Sequence, residues 1–147
     1  ETAGHADPEV LVAALAHLDW LLFDLKHLDD DAHRSGTGVG NRLILDNLER
    51  VVRSGWRGRL VPRVPLVPGF NDGAANLAAT ASLIRDLGLA EVHLLPLHHL
   101  GASKYRQLGL AEPAAGIVPP TPEALRSAAA RFEAAGVRCW VDHETPF

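Results

Sequence analysis

Helix-period segments and short apolar runs alternate four times along this chain, and no tight two-residue turn joins one apolar run to the next. That order confines the fold to βα units around a parallel sheet, because parallel neighbours need a crossover and a helix is the usual one. Asp7-Pro8-Glu9 offers a capping carboxylate, a first-turn proline and a dipole-matched acid, predicting a helix over about Pro8 to Leu18. Trp20 to Lys26 reads as a strand buried on both faces, with its polar residues at the far end. Asn41 is expected to cap a second helix carrying Leu43, Ile44, Leu48, Val51 and Val52, closed by Gly55, ahead of a strand near Arg59 to Val64. Pro62, Pro65 and Pro68 each lack an N–H, so irregular pairing is expected there, with the chain leaving the sheet by Pro68-Gly69. Asn71 or Asp72 opens a third helix closed by Gly88, and Glu91 to His98 forms the third strand. Thr121-Pro122-Glu123 starts a last helix, ended by Gly136 and followed by a strand from Val137 to Val141. Between His99 and Pro120 lies a loop of about twenty residues, long enough to suggest function, with helix-compatible Ser103 to Leu108 inside it.

With 147 residues, 47% hydrophobic and 22% charged, the chain can bury one core. A closed eight-fold barrel takes about 250 residues, so four units make either half a barrel or an open doubly wound sheet. The net charge of −4 argues against a nucleic-acid partner. The longest apolar stretch, Val10 to Phe23, is interrupted by His17 and Asp19, falls short of the roughly 20 residues of a membrane span, and lacks a basic leader. A single cysteine, Cys139, permits neither an internal disulfide nor the thiolate set of an iron–sulfur cluster, and points to a reducing, cytoplasmic setting. The opening Glu1-Thr2-Ala3-Gly4 has no initiator methionine and reads like the end of an element begun upstream, so residues 1–147 are expected to be one incomplete domain.

Right-handed crossovers bring every strand's carboxyl end to one edge, where parallel α/β folds bind ligands. The ionisable residues expected there are Glu1, Asp24, Lys26, Arg63 and His98. Asp24 and Lys26 share a face, roughly 6 to 7 Å apart. Taken alone they could be a structural ion pair or simply the point where a strand meets water. Carboxylate, ammonium, guanidinium and imidazole delivered by three successive strands to one mouth point instead to a zwitterionic small molecule. Gly36-Thr37-Gly38-Val39-Gly40 lacks both the third glycine of a dinucleotide fingerprint and a P-loop lysine, and reads as a flexible connection. His93 and His98, five apart on an extended segment, face opposite sides, which argues against zinc.

Five short patterns in order carry a resemblance. They are Glu1-Thr2-Ala3-Gly4; Phe23-Asp24-Leu25-Lys26-His27; His33, Thr37, Gly38 and Asn41; Arg63-Val64-Pro65-Leu66-Val67-Pro68-Gly69-Phe70-Asn71-Asp72; and Leu95-Pro96-Leu97-His98, with Leu100-Gly101, Lys104-Tyr105 and Leu108-Gly109 beyond it. Together they resemble the C-terminal half of the glycyl-radical enzyme activating enzymes, the radical S-adenosylmethionine family that includes pyruvate formate-lyase activase. The resemblance implies the C-terminal portion of a partial (β/α)6 TIM-like barrel with a parallel sheet, in an oxidoreductase of anaerobic metabolism. It implies S-adenosylmethionine bound beside a 4Fe-4S cluster that takes an electron from a reductant such as flavodoxin or ferredoxin. The 5′-deoxyadenosyl radical so formed abstracts hydrogen from a glycine of a partner enzyme. On this reading Asp24, Leu25 and Lys26 contact the cofactor, His98 lies by its adenosine, Arg63 reaches its polar end, and the loop from His99 to Pro120 borders the partner's docking face. In the pyruvate formate-lyase branch the positions of Glu1, Thr2, Leu22 and Asp24 also hold a monovalent cation, although Glu1 stands where that branch has Asp. The family's Cys-x3-Cys-x2-Cys is absent from this chain, so the expectation is an inactive fragment whose cluster ligands lie outside it. The alternative is a cluster-less paralogue that binds a small molecule or a partner.

Overall fold

The computed structural model describes residues 1–142. In chain order the elements are α1 (Pro8–Leu15), β1 (Trp20–Asp24), α2 (Asp30–Thr37), α3 (Arg42–Arg53), β2 (Arg59–Leu66), α4 (Ala74–Asp86), β3 (Glu91–Pro96), α5 (Ala102–Gln107), α6 (Pro122–Ala134) and β4 (Arg138–Val141). The four strands form one parallel sheet in the order β1-β2-β3-β4. Each step moves to the next strand in the same direction, so right-handed crossovers place α3, α4 and α6 on one face, where α1 joins them, as in a barrel wall. A doubly wound sheet would reverse direction part-way.

Alternation along each strand then separates two environments. Leu21, Phe23, Leu25, Val64, Leu66, Val92, Leu94 and Cys139 point into the core, where Leu11, Leu48, Leu77, Ile84 and Phe132 of the helices meet them. The register sets Trp20 beside Arg59, Asp24 beside Arg63, Arg63 beside His93 and His93 beside Trp140, all on the opposite, concave face. Trp20 there is 43% exposed. Thus β1 is not a strand covered by helices on both faces, as its continuous apolar run suggested.

The prolines of β2 do not disrupt the sheet. Pairing with β1 spans residues 59–63 and pairing with β3 spans 63–66. Polar backbone groups of odd-numbered residues face β1, since Arg59 N–H donates to Asp19 and Arg63 accepts from Leu25; those of even-numbered residues face β3, since Leu66 accepts from Leu97. Pro62 therefore turns its missing donor toward β3 before that pairing begins, and Pro65 toward β1 after that pairing has ended.

Other boundaries also differ from expectation. Helix α1 stops at Leu15, β1 at Asp24 and β3 at Pro96, each two or three residues early. Helix α2 was not expected, and only its last two residues, Gly36 and Thr37, fall in the stretch read as a flexible connection: Asp29 caps it through Ala32 N–H, and Gly38 closes it in the left-handed conformation at φ +85°. Asn41 makes no capping bond to α3, and α4 begins after Gly73 rather than at Asn71 or Asp72. The Asn41 and Asn71 amides are engaged elsewhere.

Candidate functional site

Ahead of β1, Thr2 pairs with Phe23 as an isolated parallel bridge: its N–H donates to Leu22 O and its carbonyl accepts from Asp24 N–H, both at 2.9 Å. Gly4 permits this approach, because at φ +72° it lies against the Phe23 ring where any Cβ would collide. The bridge puts Glu1 on the concave face. There Arg63 donates through Nε and Nη2 to Asp24 Oδ1, at 2.9 and 2.7 Å, and Nη2 also meets Glu1 Oε1 at 2.7 Å. One guanidinium thus joins two carboxylates from separate segments. Arg63 and Asp24 retain 12% and 14% side-chain exposure, while Glu1 retains 63%.

Hydrogen bonding to Arg63, and then its charge, hold the Glu1 carboxyl below its ordinary range, with a smaller contribution from Lys26. Burial opposes the charge of Arg63, but the two carboxylates outweigh it and hold the guanidinium above its ordinary value. Lys26, partly buried just beyond β1, makes no side-chain hydrogen bond or ion pair among the described residues. Leu25 is buried in the core. His98 stands exposed after β3, where Nδ1 accepts from Leu100 N–H at 3.4 Å; it shares no hydrogen bond or ion pair with Glu1, Asp24, Lys26 or Arg63.

The structure therefore joins Glu1, Asp24 and Arg63 directly, sets Lys26 within electrostatic reach of Glu1, and leaves His98 at the rim. As for a monovalent cation at Glu1, Thr2, Leu22 and Asp24, the Leu22 carbonyl is engaged by Thr2 and Thr2 Oγ1 accepts from Gly4 N–H at 3.0 Å. Among the described residues no group of three or more His, Cys, Asp or Glu side chains is arranged to hold a metal.

A second polar cluster, not anticipated from the sequence, lies nearer the amino ends of the strands. Arg59 Nε donates to Glu91 Oε1 at 3.0 Å, Trp140 Nε1 donates to Glu91 Oε2 at 2.9 Å, and the Arg59 guanidinium lies 4.5 Å from the centre of the Trp20 ring. Burial would raise the Glu91 pKa, but the bonds from Arg59 and Trp140 prevail and lower it. His93, 1% exposed, sits between the two clusters; burial pushes its imidazole toward the neutral form, against the pull of Glu91. The concave face is thus charged at both ends of the strands, with a neutral histidine between.

Side-chain amides form a third arrangement. Asn41 donates to the carbonyls of His27 and Leu28, Asn71 to those of Lys26 and Pro65, and Asn47 to those of Gly4 and Ala6. His33 Nδ1 lies 2.7 Å from Val39 O and 3.0 Å from Thr37 Oγ1, which ties α2 to the turn that follows it. Asn71 just after Pro68-Gly69 and Asn41 just after Gly40 were the available signals, while Asn47 lies within α3; the partners of all three depend on tertiary placement.

No protein-family model matches the chain. It is 39% identical over its whole length to the 4-hydroxyphenylacetate decarboxylase activating enzyme of Clostridioides difficile strain CD196, of which it covers 46%. Over 109 residues, 74% of this chain, it is 45% identical to the isethionate sulfite-lyase activating enzyme of Nitratidesulfovibrio vulgaris Hildenborough, of which the match covers 35%. The chain spans less than half the length of these curated relatives. Among solved structures, a domain of pyruvate-formate lyase-activating enzyme from Bacteroides vulgatus superposes with a TM-score of 0.75 at 22% identity, covering 95% of this chain and 77% of that one. A radical SAM methyltransferase from Sphaerobacter thermophilus gives 0.68 at 25% identity, covering 95% and 38%. These likenesses extend the four-stranded parallel α/β architecture to solved folds.

Proposed function

From the premise that this chain is homologous to the glycyl-radical enzyme activating enzymes of the radical S-adenosylmethionine kind, we propose that it supplies the side of their barrel that grips S-adenosylmethionine. The observation that carries the reading is the Arg63 guanidinium joining Asp24 and Glu1 on the sheet face opposite the helices. A methionine end presents an ammonium, a carboxylate and a sulfonium, and this donor set answers each. Arg63 spends Nε and Nη2 on carboxylates and keeps Nη1 for a ligand carboxylate, with Lys26 as a second cation. Asp24 uses Oδ1 for Arg63 and keeps Oδ2 for an ammonium. The sulfonium is better tolerated beside Asp24 than beside Lys26. Exposed His98 at the rim is assigned to the adenosine end, and Leu25 holds the strand exit from the core side.

When bound, S-adenosylmethionine supplies the hydrogen-abstracting chemistry of the family. A 4Fe-4S cluster does not fit this chain: its single cysteine, Cys139, is 8% exposed and packed among helix-facing core residues. The cluster thiolates are assigned to the part of the parent protein that this chain does not span, and the chain itself to one incomplete barrel domain. The parent acts on a glycyl-radical enzyme, in the cytoplasm, with an electron from a flavodoxin or ferredoxin. None of the described helices is long and apolar enough to cross a membrane. Leu100, Leu108, Leu110 and Val118 stand exposed on the loop beside the strand ends, a surface suited to the partner enzyme.

Titration calorimetry of the full-length protein with S-adenosylmethionine tests the site. Asp24→Asn and Arg63→Met are each expected to raise Kd by about tenfold or more, the scale of losing a charge-assisted bond. Unchanged affinity in both variants would remove these residues from the site.

A further inference from the structure

We propose that Asn71 is a positioning residue of this site, whose carboxamide fixes the segment bearing Lys26 against the strand bearing Arg63. The inference rests on the reading that Lys26 and Arg63 bind S-adenosylmethionine.

Ladder pairing between β1 and β2 ends where Leu25 N–H donates to Arg63 O at 2.8 Å. The next donor on that side of β2 would be residue 65, a proline, which has none. Past this point the carbonyls of Lys26 and Pro65 converge with no backbone donor to share. Asn71 supplies both: Nδ2 donates to Lys26 O at 2.7 Å and to Pro65 O at 2.8 Å. Its Oδ1 meanwhile accepts from Val67 N–H at 2.8 Å. The side chain is wholly buried, with 0% exposure, so water cannot replace these bonds. Only an amide satisfies two carbonyls and one N–H at once; Asp would aim oxygen at oxygen, and Leu would leave all three groups unsatisfied.

Two further amides complete the clasp. Asn76 Nδ2 donates to the carbonyl of Asn71, and Asn76 Oδ1 accepts from Leu28 N–H, both at 2.9 Å. Asn41 holds the carbonyls of His27 and Leu28 at 3.0 and 2.7 Å. Residues 25–27 belong to no helix or strand, so side-chain amides take over where the ladder stops. Asp24 does not depend on them, being held by Thr2 O and by Arg63. The Lys26 ammonium does, because no side-chain bond of its own fixes it.

The expected signature is coupling between Asn71 and Lys26 in S-adenosylmethionine affinity, read by calorimetry on the full-length protein. Asn71→Ala and Lys26→Met should each raise Kd by about tenfold, and the double variant should bind no more weakly than Lys26→Met. Multiplicative fold-changes, or an Asn71→Ala variant that binds as tightly as wild type while Lys26→Met does not, would overturn the positioning role and leave the site reading intact. Unchanged affinity in Lys26→Met would remove Lys26 from the site and the positioning role with it, while the reading of Asp24 and Arg63 stands or falls on their own variants. Should Asn71→Ala not fold, Asn76→Ala enters the same cycle with the same outcomes.

Discussion

Arg63 shows how one residue acquires a role from its neighbours. From its place on β2, Arg63 could have met any ligand at the sheet edge; register sets it beside Asp24, 39 positions away in sequence, and the bridge at Thr2 brings Glu1 to the same guanidinium. The simplest sequence alternative, an ion pair between Asp24 and Lys26, does not form; Asp24 pairs with Arg63, and Lys26 is left for other use. From the sequence His93 was weighed only as a zinc ligand and set aside, yet its burial in the structure has a measurable consequence. Its pKa lies below the ordinary 6.5, so the unfolded chain binds the proton more readily, and stability is complete above pH 6.5 and falls as pH drops toward the folded value. The urea midpoint of the full-length protein should therefore fall between about pH 7.5 and about pH 5.5, and His93→Phe should flatten that slope. Equal slopes would show that this imidazole does not drive it. Glu91, also lowered, makes its own contribution fail only as pH falls below 4.5.

Elements were legible where apolar spacing ran long or a cap stood directly before it, as Asp7 does for α1 and Thr121 for α6, and illegible where a cap preceded a polar segment. The five-residue β1 and the thirteen-residue α4 and α6 follow from apolar spacing. The eight-residue α2 has a mean composition too polar for that test, and is held by the Asp29 cap, the acids of its first turn, the His33–Thr37 bonds and Gly38. Asp29→Ala should cost about 1 kcal/mol, read as a drop in the urea midpoint with unchanged m; no change would mean the cap is dispensable. Strand β2 makes the opposite point. Its prolines forecast irregularity, but pairing is staggered so that each missing donor falls outside the paired stretch on the side it faces.

At the scale of the molecule, one face of the sheet is sealed by helices and the other left concave. Phe132, fully buried, closes the sealed side between α6 and the sheet. Phe132→Ala should cost roughly 3 to 5 kcal/mol, seen as a lowered unfolding midpoint of the full-length protein, whereas a small change would mean that the helix layer collapses around the gap. By itself the sequence determined that the chain builds βα units, and which charged residues stand near strand ends, because backbone periodicity and capping are properties of neighbours along the chain. Only the tertiary structure decided which face is open, that Arg63 binds Asp24 and Glu1 together, and that asparagines rather than backbone hold the exit of β1. Those outcomes depend on register between strands, and register is settled by burying the whole sheet against its helices at once.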